Sequence, residues 1–213
     1  MSWQRGIYAI TDSSLLPDDE RLIAACEAAL QGGLALLQYR DKSADDARRW
    51  RQSRALAELC RRYGVPLIIN DDLALAHRLR EAGFDGVGLH LGEEDGSLDE
   101  ARRLLGSDAI VGASCYASLA IAERSATAGA SYLAFGRFFA SHTKPEATPA
   151  SLELLDEAAR FGLPRVAIGG LDVDNVARVR RAGGDLLATV HAVFGGGDPA
   201  ERVALLRRRA GYA

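Results

Sequence analysis

Long hydrophobic runs are missing from this chain: no stretch approaches the roughly 20 apolar residues that cross a bilayer. The N-terminus lacks a basic region followed by a long apolar core, and Ile7-Tyr8-Ala9-Ile10 already reads as a strand. Neither a secretory signal nor a membrane partner is therefore expected, and the expected location is the cytoplasm. Excess charge is missing too. A formal net charge of -3 over 213 residues gives no footprint for a nucleic-acid partner. The clusters Arg48-Arg49, Arg61-Arg62, Arg178 with Arg180-Arg181, and Arg207-Arg208-Arg209 read as solvated helix faces and charges favoured near helix C-termini. Cysteine is sparse, and Cys26, Cys60 and Cys115 show neither zinc-ligand nor redox spacing. The first two lie in helical patterns as core thiols. Cys115 follows a strand end, which leaves a reactive role open. No Pro/Gly/Ser linker or composition shift interrupts residues 1–213, so they read as a single domain. Oligomeric state is open, and a homo-oligomer is compatible with the composition.

What is present is a repeat. Nearly continuous apolar runs occur around Ile7, Leu34 to Leu37, Leu67 to Ile69, Val87 to Leu89, Ile110 to Val111, Tyr132 to Phe135, Val166 to Ile168, and Leu186 to Val190. Continuous rather than alternating runs are expected of strands covered on both faces. Amphipathic stretches rich in Ala, Leu, Arg and Glu separate them. Ser43 with Asp46, and Ser97 with Glu100, read as capping boxes. Glycines such as Gly64 and Gly162 follow helices, where a left-handed cap needs no Cβ. Eight strand–helix repeats are best accommodated by an α/β fold of the single-domain (β/α)8 TIM-barrel type, with an open doubly wound sheet as competitor. Polar groups follow most of the strands, as at the C-terminal rim of a barrel.

Those polar groups divide by chemistry. Asn70-Asp71-Asp72 ends the third run just before a helix over Leu73 to Ala82. Asp72 suits a helix N-terminus, whereas Asp71 has no evident structural task. Asp95 follows the fourth run, and Ser97 already serves as the next cap, so Asp95 is free to face the mouth. Adjacent barrel strands would bring Asp71 and Asp95 together, and paired hard carboxylates with substrate phosphate suit Mg²⁺. Helix-terminal charge is the alternative for both. Gln38, Arg40 and Lys42 alternate after the second run and share a face; they could grip an anion or simply be solvated. After the sixth run comes a long loop, Phe135 to Pro145, with hydroxyls and Lys144. The seventh run ends in Gly169-Gly170 before a helix beginning near Asp174, where bare backbone would admit a phosphate. Of the four histidines, His77 lies in a helix and His90 in the fourth strand, with a satisfied core role expected. His142 lies in the long loop. His191 follows the eighth strand and could line the mouth.

In Tyr8-Ala9-Ile10-Thr11-Asp12, Gln38-Tyr39-Arg40-Asp41-Lys42, Ile69-Asn70-Asp71-Asp72, His90-Leu91-Gly92-Glu93-Glu94-Asp95, Gly112-Ala113-Ser114, Phe135-Gly136 through Thr143-Lys144, and Ile168-Gly169-Gly170, the chain resembles the thiamine phosphate synthase family over essentially its whole length. The resemblance implies a TIM barrel that joins 4-amino-2-methyl-5-hydroxymethylpyrimidine diphosphate to a thiazole phosphate and releases pyrophosphate. It implies small-molecule substrates and Mg²⁺ as cofactor. By motif position, Gln38, Tyr39, Arg40, Asp41, Lys42, Asn70, Ser114 and Lys144 would meet the pyrimidine diphosphate, with Lys144, Arg40 and Ser114 as catalytic residues. Asp71 and Asp95 would ligate Mg²⁺. Ser141, His142, Thr143, Gly170, Val190 and His191 would face the thiazole phosphate. The chain departs from the family pattern at Glu93, where Gln is common, at Arg137 and Ala140-Ser141, where Pro and Thr are common, and at His191, where a small hydroxyl residue is frequent.

Rival readings are a thiazole tautomerase-like relative, a non-catalytic phosphate-ligand-binding barrel, and a sugar-phosphate isomerase. The tautomerase branch is expected to lack the metal acids and to carry His where Arg137 stands. An isomerase would need a Glu or Cys base at the rim, and none can be placed.

Overall fold

A computed structural model of the protein describes residues 3–139 and 150–212. Eight parallel strands pair in chain order: β1 (Gly6–Ile10), β2 (Leu36–Tyr39), β3 (Leu67–Asn70), β4 (Val87–Leu91), β5 (Val111–Tyr116), β6 (Tyr132–Gly136), β7 (Arg165–Ile168) and β8 (Leu186–Thr189). β8 pairs back onto β1, through Gly6 to Leu186 and Ala9 to Thr189, so the sheet closes into a barrel and the open doubly wound alternative is excluded. The helices are α1 (Asp19–Gln31), α2 (Asp46–Tyr63), α3 (Leu73–Glu81), α4 (Leu98–Leu105), α5 (Leu119–Thr127), α6 (Glu153–Glu157) continuing as a 3₁₀ turn (Ala158–Phe161), α7 (Val176–Arg181), α8 (His191–Phe194) and α9 (Pro199–Ala210). None of the described helices is long and apolar enough to cross a membrane.

Closure explains the continuous apolar runs. Successive side chains on each strand enter different compartments. Tyr8, Ile10, Leu36, Ile68, Tyr132, Val166 and Leu186 fill the barrel interior. Ile7, Ala9, Leu37, Tyr39, Ile69 and Leu89 pack outward against the helices. Burying such a Leu or Ile contributes about 1.5–3 kcal/mol, so both faces of each strand select for apolar residues.

Several helix starts are fixed by side-chain caps. Asp72 accepts from Leu75 N at 2.9 Å, and Ser97 accepts from Glu100 N. The expected box at Ser43 is not formed. Asp45 caps α2, accepting from Arg48 N at 2.9 Å, while Ser43 N donates to Asp41 at 2.8 Å. α7 starts at Val176, later than expected, because Asp172 first accepts from the backbone N–H groups of Asp174 and Asn175. Cys115 lies within β5 rather than beyond it. It is fully buried, and burial pushes its thiol up to about 12, which removes the basis for a reactive role. Arg48 and Arg49 are not simply a solvated face either: they pair with Asp41 and Asp72 at the top of the barrel.

Candidate active site

The C-terminal ends of the strands carry an acidic side and a cationic side. Asp71 directly follows β3 in the left-handed region, at φ 65. That conformation costs an L-residue roughly 1–2 kcal/mol, least for Asp and Asn. It is held there by Asp71 N donating to His90 O at 2.8 Å. Asn70 Nδ2 donates to the Asp71 carboxylate. From the loop after β4, Asp95 accepts from Gly92 N at 3.2 Å, and its carboxylate lies close enough to act on that of Asp71. Burial first, and the Asp95 charge second, push the Asp71 carboxyl up to about 6, with Lys42 acting in the opposite direction. Asp72, one residue along, is spent on its cap and on Arg49.

On β2 the alternation separates the expected anion-binding residues. Gln38 faces the barrel interior and is buried; Nε2 donates to Tyr8 Oη at 2.7 Å. Arg40 leaves the strand toward the mouth. Its N–H donates to Thr11 Oγ1 at 2.9 Å, and its guanidinium lies 3.9 Å from Asp12. Lys42 is exposed. Tyr39 and Asp41 point the other way. Tyr39 Oη donates to Gln52 Oε1 of α2 at 2.8 Å, and the Asp41 carboxylate, only 2% exposed, lies 3.2 Å from Arg48 Nε. These two hold the β2–α2 connection instead of lining the mouth.

A line of hydrogen bonds crosses the interior below the rim. From Gln38 it passes to Tyr8, then at 2.9 Å to Tyr132 Oη, then at 2.9 Å to His90 Nδ1. His90 Nε2 reaches Ser114 Oγ on β5, again at 2.9 Å. The Tyr132 and His90 rings stack, with centroids 5.6 Å apart and 10° between their planes. Burial pushes both phenols above their usual range and His90 down to about 4, so all three are neutral at neutral pH. His90 is thus the satisfied interior histidine its position implied. Tyr8 and Tyr132 stand inside apolar runs and read as core in the sequence; nothing there marks their hydroxyls.

Tyr116 is likewise unmarked by sequence. It follows an irregularity in the β5–β6 register, has φ 52, and is 52% exposed at the rim. With Asp71 it is one of two non-glycine residues at positive φ among the described residues, and the strands that carry them flank β4.

Across the mouth, Gly169 and Gly170 both have positive φ, at 102 and 67, and Asn175 Nδ2 donates to Gly170 O. Val190 precedes α8, and exposed His191 begins it, close enough for its charge to act on Asp12. Ser141, His142, Thr143 and Lys144 lie outside the described residues. Among the described residues no group of three or more His, Cys, Asp or Glu side chains converges to form a metal cage. The Asp71–Asp95 pair offers two hard oxygen ligands, as many as Mg²⁺ commonly takes from a protein when phosphates supply others.

Known proteins share this fold and much of its sequence pattern. A family profile described as thiamine monophosphate synthase matches residues 7–193. A thiamine phosphate pyrophosphorylase from Pyrococcus furiosus is 30% identical, with a TM-score of 0.83 over 98% of this chain and 96% of that one. A thiamine phosphate pyrophosphorylase from Bacteroides thetaiotaomicron shares the fold at 18% identity, with a TM-score of 0.65 over 97% and 98% of the chains. KGPDC from Streptococcus mutans does so at 12% identity, with a TM-score of 0.69 over 97% and 98%.

Proposed function

Because the chain belongs to the thiamine monophosphate synthase family, we propose that it joins 4-amino-2-methyl-5-hydroxymethylpyrimidine diphosphate to a thiazole phosphate, giving thiamine phosphate and pyrophosphate. A transferase role in thiamine biosynthesis is what the family carries; the substrates, the metal and the residue roles are our reading. The observation that supports it best is the approach of Asp71 to Asp95 beside Lys42. Two carboxylates forced together next to a cation fit a site for a metal-bound diphosphate. One domain would carry the whole activity, in the cytoplasm, with small molecules as its partners.

In this reading Asp71 and Asp95 would hold Mg²⁺, and the donor set fits it: two hard oxygens whose mutual repulsion a divalent cation relieves. When bound, Mg²⁺ would offset the charge gathering on the departing pyrophosphate. Arg40 and Lys42 add positive charge at the same rim, with Lys144 assigned there by the resemblance. Asn70 and Ser114 orient the diphosphate substrate, and Gln38 meets the pyrimidine. Ser141, His142, Thr143, Gly170, Val190 and His191 would receive the thiazole phosphate.

The carbon–oxygen bond to pyrophosphate breaks with its electron pair leaving on oxygen. The methylene cation is stabilised by the electron-rich aminopyrimidine, and the thiazole nitrogen lone pair then forms the new C–N bond. No proton need move. Positioning and preorganised charge therefore suffice, without a protein nucleophile.

The test is to incubate the purified protein with both substrates, with and without Mg²⁺, and to look for thiamine phosphate and pyrophosphate by chromatography. Product in the Mg²⁺ sample alone is the expected outcome. Isomerisation of the thiazole without condensation would favour the tautomerase reading, and binding without turnover would favour the ligand-binding barrel.

A further inference from the structure

We propose that Gln38, Tyr8, Tyr132, His90 and Ser114 form a hydrogen-bond relay with one fixed direction, which turns the Ser114 hydroxyl into a donor aimed at the pyrimidine diphosphate. Tyr8, Tyr132 and His90 then act as positioning residues. The part of this that concerns substrate rests on the function proposed above.

The direction follows from counting protons. The Gln38 amide nitrogen can only donate, so it occupies a lone pair of Tyr8 Oη. The Tyr8 proton must then go to its other partner, Tyr132 Oη. Tyr132 in turn gives its proton to His90 Nδ1. An accepting Nδ1 puts the imidazole proton on Nε2, which donates to Ser114 Oγ. Ser114 already accepts from within, and its own proton is left for the mouth. At the far end, Gln38 Oε1 is left to accept. With the Gln38 amide turned this way, running the line backwards would leave Tyr8 receiving two protons and its own O–H unpaired in a wholly buried place, at a cost of about 1–3 kcal/mol. Only a turned amide, with Oε1 facing Tyr8, supports the reverse order, and Ser114 would then donate inward to an Nδ1–H imidazole.

The surroundings indicate that the line is more than packing. The residues around it, Ile10, Leu36, Ile68 and Val166, are apolar and buried. Apolar side chains of similar volume could fill the same space without any hydrogen bonds to satisfy. Gly112 on β5 has no Cβ, and one added there would overlap the Tyr132 ring, so the backbone makes room for this phenol. Both ends of the line lie at residues that the proposed function assigns to one substrate.

Two measurements test the relay. The first is independent of activity: ¹⁵N NMR of the full chain should show His90 as the Nε2–H tautomer, and Nδ1–H would overturn the direction. The second is kinetic. Tyr132→Phe should lower kcat/KM for the pyrimidine diphosphate roughly 10–100-fold, as when a group acting through a liganding neighbour is removed, while KM for the thiazole phosphate holds. Adding Ser114→Ala to Tyr132→Phe should cost little more, because the two changes disable one device. Additive losses, or wild-type kinetics in folded Tyr132→Phe, would overturn the proposal. If Tyr132→Phe does not fold, Tyr8→Phe interrupts the same line one step away and decides by the same criteria. A wild-type protein that shows the expected tautomer but no condensation would refute the proposed function and leave the relay standing.

Discussion

Asp71 and Asp95, from the ends of neighbouring strands, lie close enough for the charge of one carboxylate to act on the other, and Asp71 takes a left-handed backbone conformation. The fold accepts both a strained residue and a pair of like charges at one point of the rim. Strain and repulsion concentrated in this way mark a place arranged for chemistry.

Asp71→Asn and Asp95→Asn should each cripple synthesis at limiting Mg²⁺, by roughly 10²–10³-fold, on the scale of removing one preorganised electrostatic partner. Asn tolerates the left-handed region at least as well as Asp, so Asp71→Asn tests charge with the backbone held. Excess Mg²⁺ should partly rescue the weaker lesion. Rates read against Mg²⁺ concentration decide, and near-wild-type rates at limiting Mg²⁺ would refute the metal assignment.

His90 should make the fold sensitive to acid. Burial lowers its pKa from the usual 6.5 to about 4, against a smaller opposing effect of the Asp95 charge. Between those values the unfolded chain binds a proton that the folded protein refuses. Its contribution is therefore complete above pH 6.5 and is lost as pH falls toward 4, at about 1 kcal/mol per pH unit. Urea midpoints of wild type and His90→Gln across that window isolate this group from the carboxylates. Parallel curves would show that His90 does not titrate as described.

Asp41 is expected to behave as a structural residue despite its place between Arg40 and Lys42. Asp41→Ala leaves Arg48 without its carboxylate and Ser43 N without its acceptor. The expected loss is about 2 kcal/mol, or about 4–8 °C in Tm for a domain of this size. Asp41→Asn should lose less, since it can still accept from Ser43. A kinetic loss with unchanged Tm would instead reveal contact with substrate.

The barrel was legible because closure buries both faces of every strand, which leaves eight near-continuous apolar runs in the sequence. The Asp71–Asp95 encounter could be anticipated from the order of the strands, since each acid follows the end of its own strand. Gln38-Tyr39-Arg40-Asp41-Lys42 was only half legible. Alternation separates Gln38 from Tyr39, but not the Arg48 that draws Asp41 toward α2. Tyr8 and Tyr132 were not legible at all: they lie 124 residues apart, and a tyrosine inside an apolar run looks the same whether or not its hydroxyl is used. Tyr116 is set by a register irregularity, which depends on pairing between strands rather than on local sequence.

Gly112 offers a way to separate space from polarity in the barrel interior. A Cβ at this position would overlap the Tyr132 ring, so Gly112→Ala should displace the ring and destabilise the fold by about 1–3 kcal/mol, as overpacking does. It should also slow catalysis, because a displaced phenol no longer bridges Tyr8 and His90. Gly112→Ala combined with Tyr132→Leu restores the room but not the hydroxyl. The double variant should therefore recover much of the lost Tm while kcat/KM for the pyrimidine diphosphate stays low. Thermal unfolding and steady-state kinetics on the same three samples provide the check. Recovery of activity along with stability would mean that the interior needs only to be filled, and that the hydrogen bonds across it have no part in the reaction.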